Sequence, residues 1–234
     1  MKKPALNSRR DVIKALSIGT ATSLVAASTT RAESVTPSQT EGPFYPDIDN
    51  DLTFVNSRKD RAKGDYLYVY GIVQDTEGNP VNGSLVEIWQ TDFQGIYDHA
   101  GDENHAKKDP NFQSFGRCVT NAQGHYIFKT IRPRYYAAGR GFRTPHIHYK
   151  VWRRGFHDLT TQLYFEGESK NAEDGLYRQL SDDEQKRVTI SLRPATDVHP
   201  KVQERLSSDF KDQAPVSHSL IGRFDIVLKI VSES

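Results

Sequence analysis

The sequence predicts an all-β protein: an antiparallel β-sandwich with long functional loops and little helix. Three observations carry that expectation. Short runs of β-branched and aromatic residues recur along the chain, Gly, Pro and Asn punctuate them, and no long apolar pattern of helical period appears.

Taken in order, residues 1–32 stand apart. They hold six bases (Lys2, Lys3, Arg9, Arg10, Lys14, Arg31) against one acid, Asp11, then an uncharged stretch from Ala15 to Thr30 and small residues Thr30 and Ala32 around Arg31. That is the layout of a secretory signal, cut after Ala32. The uncharged stretch, 16 residues rich in Ser, Thr and Gly, is too short and too weakly apolar to span a membrane. Ser8-Arg9-Arg10-Asp11-Val12-Ile13-Lys14 resembles a twin-arginine signal, which implies bacterial export to the periplasm or beyond. No membrane association is expected once the signal is removed.

Glu33 to Gly64 has Pro, Ser and Asp without a period and reads as an arm, 33–64, laid on a domain of residues 65–234. Tyr66 to Val73 is β-branched and aromatic, and Glu77-Gly78-Asn79-Pro80 supplies the turn after it. Ser84 to Gln90 alternates, with Leu85, Glu87 and Trp89 opposite Val86 and Ile88. Further strands are predicted at Gly124–Phe128, Pro145–Trp152, Thr160–Phe165 and Arg187–Leu192. The clearest alternation comes last, where Gly222, Phe224, Ile226, Leu228 and Ile230 oppose Ile221, Arg223, Asp225, Val227 and Lys229. Gly95 to Phe115 reads as a long loop, and Ser181-Asp182-Asp183-Glu184 has the spacing of a capping box.

Composition removes several classes of function. The formal charge of +1 misleads, because beyond residue 32 the chain has 25 bases against 29 acids, so nucleic acid is not an expected partner. The lone Cys118 excludes a disulfide framework and any thiolate metal site, and reads as a small buried apolar group. His99, His105 and His125 read as solvated or hydrogen-bonded.

His146-Ile147-His148 heads an apolar strand. Residues two apart project from one face, so both imidazoles point together while Ile147 faces the core. Imidazole suits iron, copper, nickel and zinc. A two-His-one-carboxylate ferrous site of cupin type lacks its acid, because the next one is Asp158. Other oxygen donors are needed. Tyr97 and Tyr136 stand outside the strand alternation, in or beside loops, and a phenol is held ionised at neutral pH only by a strongly Lewis-acidic cation such as ferric iron.

The residues resemble the intradiol ring-cleavage dioxygenases, above all the catalytic chain of the protocatechuate 3,4-dioxygenase type. The resemblance runs from Thr40-Glu41-Gly42-Pro43-Phe44-Tyr45 to about Gly167. It includes Val86-Glu87-Ile88-Trp89-Gln90, Gly95-Ile96-Tyr97, Asp109-Pro110-Asn111-Phe112 with Phe115-Gly116-Arg117, Pro133-x-x-Tyr136, Arg143-x-Pro145-His146-Ile147-His148 and Gln162-Leu163-Tyr164-Phe165. It implies one Fe(3+) per chain held by Tyr97, Tyr136, His146 and His148. Tyr136 is preferred to Tyr135 because it keeps the Pro-x-x-Tyr spacing, although Ala137-Ala138 after it departs from the commoner Tyr-Pro.

The resemblance further implies that Arg143 and Gln162 lie beside the substrate, a catechol-type diol cleaved by O2 between its two hydroxyl-bearing carbons. Tyr136 is then the base that accepts a catechol proton, and Arg143 stabilises developing negative charge. Glu33 to Tyr66, before the first strand, show no helical period, so the subunit pairing through a helical N-terminal region that the resemblance associates with catechol-type members is not expected. Assembly with itself or with a second subunit stays open, as do the ring substituents. The alternative is a non-enzymatic β-sandwich binding module of transthyretin-like type.

Overall fold

The computed structural model describes residues 34–37, 39, 49–55, 59–139, 141–210 and 218–231. The export signal expected over 1–32 and the run Thr40 to Tyr45 lie outside them. In chain order the strands begin with β1 (Tyr66–Asp75), β2 (Leu85–Trp89), β3 (Phe115–Val119), β4 (His125–Ile131), β5 (Tyr136–Ala138) and β6 (Gly141–Arg143). There follow β7 (His146–Trp152), β8 (Leu159–Phe165), helix α1 (Asp182–Val188), β9 (Thr189–Ile190), β10 (Arg193–Pro194), helix α2 (Pro200–Asp209), β11 (Leu220–Arg223) and β12 (Ile226–Leu228).

These strands form two sheets and a hairpin. In the first sheet β1 is central, antiparallel to β4 on one side and flanked on the other by β11 along its first half and β12 along its second. The second sheet has the order β3-β2-β7-β8-β9, and β5 with β6 forms the separate hairpin. The core lies between the sheets, where Val69, Val73, Phe128, Ile226 and Leu228 meet Val86, Ile88, Ile147, Val151 and Leu163. Alternation places these side chains, because each is two residues from the next inward one on its strand.

The predicted all-β sandwich is what the chain forms, but β11 and β12 run parallel to β1, and β9 runs parallel to β8. Parallel pairing needs a long crossover, which the chain between β1 and β11 supplies. The single strand expected over residues 221–230 is two, broken at Phe224 and Asp225. There the Phe224 amide donates to Tyr70 O and the Asp225 carboxylate accepts from the Ile72 amide. A Cβ on Gly71 would lie 1.8 Å from Phe224 O, so the crossing needs glycine at that position.

Both helices carry corrections. The predicted capping box forms, with Ser181 and Glu184 satisfying each other's backbone amides, but the helix it opens runs to Val188. The strand expected from Arg187 is therefore confined to Thr189 and Ile190. Acids in the first turn and Lys186 and Arg187 in the last favour the helix through its dipole. Helix α2 was not expected. It starts at Pro200 behind a His199 cap and lays Leu206 and Phe210 over the outer face of the first sheet, against Tyr68, Ile127 and Ile221.

Candidate active site on the outer face of the second sheet

Every functional side chain here faces away from the sandwich core. Ile147 is in the core as expected, so His146 and His148 point outward from β7, where they are 2% and 3% exposed. The register sets their neighbours: Trp89 of β2 and Gln162 of β8 lie opposite His148, and Tyr164 lies opposite His146. The Trp89 and His148 rings stack at 4.8 Å with 2° between planes.

Two loops bring the phenols. Tyr97 follows a tight turn in which the Gly95 and Ile96 amides donate to Asp92, and its own amide donates to Asp102. Gly95 has φ +87, and a Cβ there would lie 2.6 Å from Tyr135 O, so glycine lets the turn close on the hairpin. Tyr136 opens β5, paired with Arg143 of β6. Its ring is 5.3 Å from that of Tyr97 and 5.8 Å from that of His146. Tyr135 points elsewhere, 40% exposed and edge-on to Phe142.

The chain thus brings Tyr97, Tyr136, His146 and His148 together. His146 Nδ1 donates to Thr144 O at 2.6 Å, which leaves its Nε2 unprotonated and facing His148. That atom is 3.1 Å from His148 Nε2, which is 3.2 Å from the Tyr97 hydroxyl. Burial and the nearby Arg143 push His146 down to about 3, and burial, His146 and Arg143 hold His148 well below the usual histidine range. Both imidazoles are therefore neutral. Burial, with Tyr136 beside it, raises the Tyr97 phenol well above its ordinary value.

These residues fit a metal ion. Two imidazole nitrogens bound side by side to one ion at about 2.1 Å sit about 3 Å apart, as the two Nε2 atoms do. His148 Nδ1 is buried without a hydrogen-bond partner, so the orientation of this ring comes from its stack on Trp89. Among the described residues no group of three His, Cys, Asp or Glu could hold a metal, and the oxygen atoms beside the two imidazoles are those of the phenols.

Arg143 and Gln162 sit beside the four. Arg143 donates from Nε to Asp174 at 2.9 Å and from a terminal nitrogen to Gln162 Oε1, which also accepts from the Tyr164 hydroxyl at 3.1 Å. Gln39 in turn donates to that hydroxyl. Asp174 was missed by sequence reasoning. Fully buried, it also accepts from the amides of Thr144, Leu176 and Tyr177. Burial alone would raise its carboxyl, but the Tyr177 and Thr144 amides and the Arg143 guanidinium hold it below the ordinary carboxylate range. Only Gly175 beside it hinted at a turn, and nothing local linked it to Arg143.

Comparisons with known proteins agree on one family. A dioxygenase family model matches residues 40–229. The protocatechuate 3,4-dioxygenase beta chain of Burkholderia cepacia is 34% identical over 187 residues, which are 78% of this chain and 72% of that protein. The catechol 1,2-dioxygenase of Candida albicans is 34% identical over 111 residues, 42% of this chain and only 35% of that protein. Among solved structures, the dioxygenase domain of a dioxygenase carbohydrate-binding protein fusion from Streptomyces sp. SirexAA-E matches with a TM-score of 0.58 at 30% identity. That match covers 85% of this chain and 100% of that one.

Proposed function

Because the chain belongs to the intradiol ring-cleavage dioxygenase family, we propose that it opens a catechol-type ring with O2 between the two hydroxyl-bearing carbons, giving a muconate-type diacid. One observation carries the reading: two neutral imidazoles and two phenols converge beside an arginine that stays charged. In this reading Tyr97, Tyr136, His146 and His148 hold one ferric ion. When bound, that ion supplies the Lewis acidity that keeps phenols ionised and draws electron density from the ring.

The chain's own residues do the rest. Thr144 O fixes the His146 tautomer, and the stack on Trp89 fixes the plane of His148. The Tyr136 phenolate oxygen accepts one catechol proton as the diol enters. Arg143, clamped by Asp174 and Gln162, presents a permanent positive charge to the substrate oxygen that gains negative charge. Both oxygen atoms of O2 enter the product, so no reductant is consumed. We propose in addition that residues 1–32 direct export by the twin-arginine route, which carries the chain already folded.

The test is oxygen uptake in labelled O2 with a catechol, followed by near-ultraviolet spectroscopy and mass spectrometry. A colourless diacid carrying both labels is expected from reddish protein. A yellow semialdehyde, or activity only after reduction of the metal, would refute the reading.

A further inference from the structure

We propose that Gln39, on the arm that precedes β1, is a positioning residue for Arg143, acting through the Tyr164 hydroxyl and the Gln162 amide; this rests on the ring-cleavage reading above. Gln162 and Tyr164 stand two residues apart on β8, so both side chains leave the same face, and both residues are fully buried. A row of hydrogen bonds joins them to the arm and to the arginine. Gln39 Nε2 donates to the Tyr164 hydroxyl at 3.1 Å, that hydroxyl donates to Gln162 Oε1 at 3.1 Å, and a terminal nitrogen of Arg143 donates to the same oxygen.

The cationic end sets the polarity of this row. A guanidinium can only donate, so Gln162 must turn its oxygen, not its NH2, towards Arg143. The Tyr164 hydroxyl has one proton to give and gives it to that oxygen, so its own oxygen is left to accept from the other side. The Gln39 amide nitrogen is the donor that meets it there. A carboxylate in place of that amide would draw the hydroxyl proton away from Gln162. With one donor fewer to hold it, the Gln162 amide could turn end for end and set its NH2 against the guanidinium, which loosens the clamp that Gln162 and Asp174 form on Arg143.

Both sheets hold the arm in place for this duty. The Gln39 backbone amide donates to Thr160 O of β8 at 2.5 Å, and Thr36 Oγ1 accepts from the Val227 amide of β12 at 2.9 Å. Anchoring the arm and setting the polarity of the row are thus assigned to different side chains, Thr36 and Gln39, and substitution tells them apart.

The experiment uses the iron-loaded full chain and measures oxygen uptake with catechol beside iron content and colour. Gln39→Leu should keep iron and colour and lower kcat and kcat/KM alike by roughly two- to tenfold, the contribution of one net hydrogen bond. Tyr164→Phe should lower them at least as far, and adding Gln39→Leu to it should cost nothing more, because the two act in one row. Gln39→Glu, which keeps the shape and reverses the polarity, should not restore turnover. Thr36→Val loosens the same arm without touching the row and should keep kcat. Independent losses in the double variant, full turnover in Gln39→Glu, or a loss in Thr36→Val equal to that in Gln39→Leu would each overturn the proposal. If the unaltered chain consumes no oxygen, ring cleavage is what fails, and denaturant unfolding then decides the positioning role. There the effects of Gln39→Leu and Arg143→Ala should depart from additivity by at least about threefold in the unfolding constant, and additive effects overturn it.

Discussion

One backbone carbonyl decides which nitrogen of His146 faces its partners, and one carboxylate decides where Arg143 points. These are different duties, and substitution separates them. If the proposed ferric site is right, Tyr97→Phe and His148→Ala should each lower iron content and activity severely, because each removes one of the four proposed donors. Arg143→Ala should keep iron and colour yet lose turnover, read by metal analysis beside oxygen uptake. Asp174→Asn tests orientation without removing the arginine. It should retain iron, lower kcat, and cost about 3–5 kcal/mol in denaturant unfolding, the usual effect of breaking a buried ion pair. Its pH signature is specific. The Asp174 carboxyl is depressed in the folded chain, so its stabilisation is complete above the unfolded value near 3.9 and is lost as pH falls through the folded value. The variant should therefore show a flatter decline of stability below about pH 4 than the parent.

Elements explain why some of this was legible in sequence. His146-Ile147-His148 could be read because a period of two is local, and the same period set Val86 and Ile88 against Trp89. Asp174 could not, since its partners Arg143 and Thr144 lie 31 and 30 residues away and no period connects them. Helix α2 escaped because its apolar contacts, Leu206 and Phe210, are sparse in a polar stretch and gain meaning only against Tyr68 and Ile221. The break between β11 and β12 was hidden within an alternation that continues across it. At that break Gly71→Val should destabilise the fold by several kcal/mol, as forced overpacking against backbone does, and should lower the thermal midpoint without altering the four proposed metal-binding residues.

At the scale of the molecule, chemistry and address are separate. The site draws on residues from Gln39 to Asp174, whereas the proposed export signal ends at residue 32. Replacing Arg9 and Arg10 together by Lys should stop periplasmic accumulation and leave a cytoplasmic protein that binds iron and unfolds at the same temperature, measured by fractionation and calorimetry. Undiminished export would leave an ordinary secretory signal in its place.

The edge of β1 carries a consequence in time. Tyr68 pairs with Ile221 and Val73 with Ile226, so a strand made early in synthesis waits for partners made about 150 residues later. At roughly 5–20 residues per second, that interval is on the order of ten seconds, during which an unpaired edge is open to other chains. The last strands thus act as a closing seam: the first sheet is completed only once Leu228 has left the ribosome. A chain ending before Leu220 would keep its His146–His148 strand and still present that edge to its neighbours, so its characteristic failure would be aggregation rather than loss of the site.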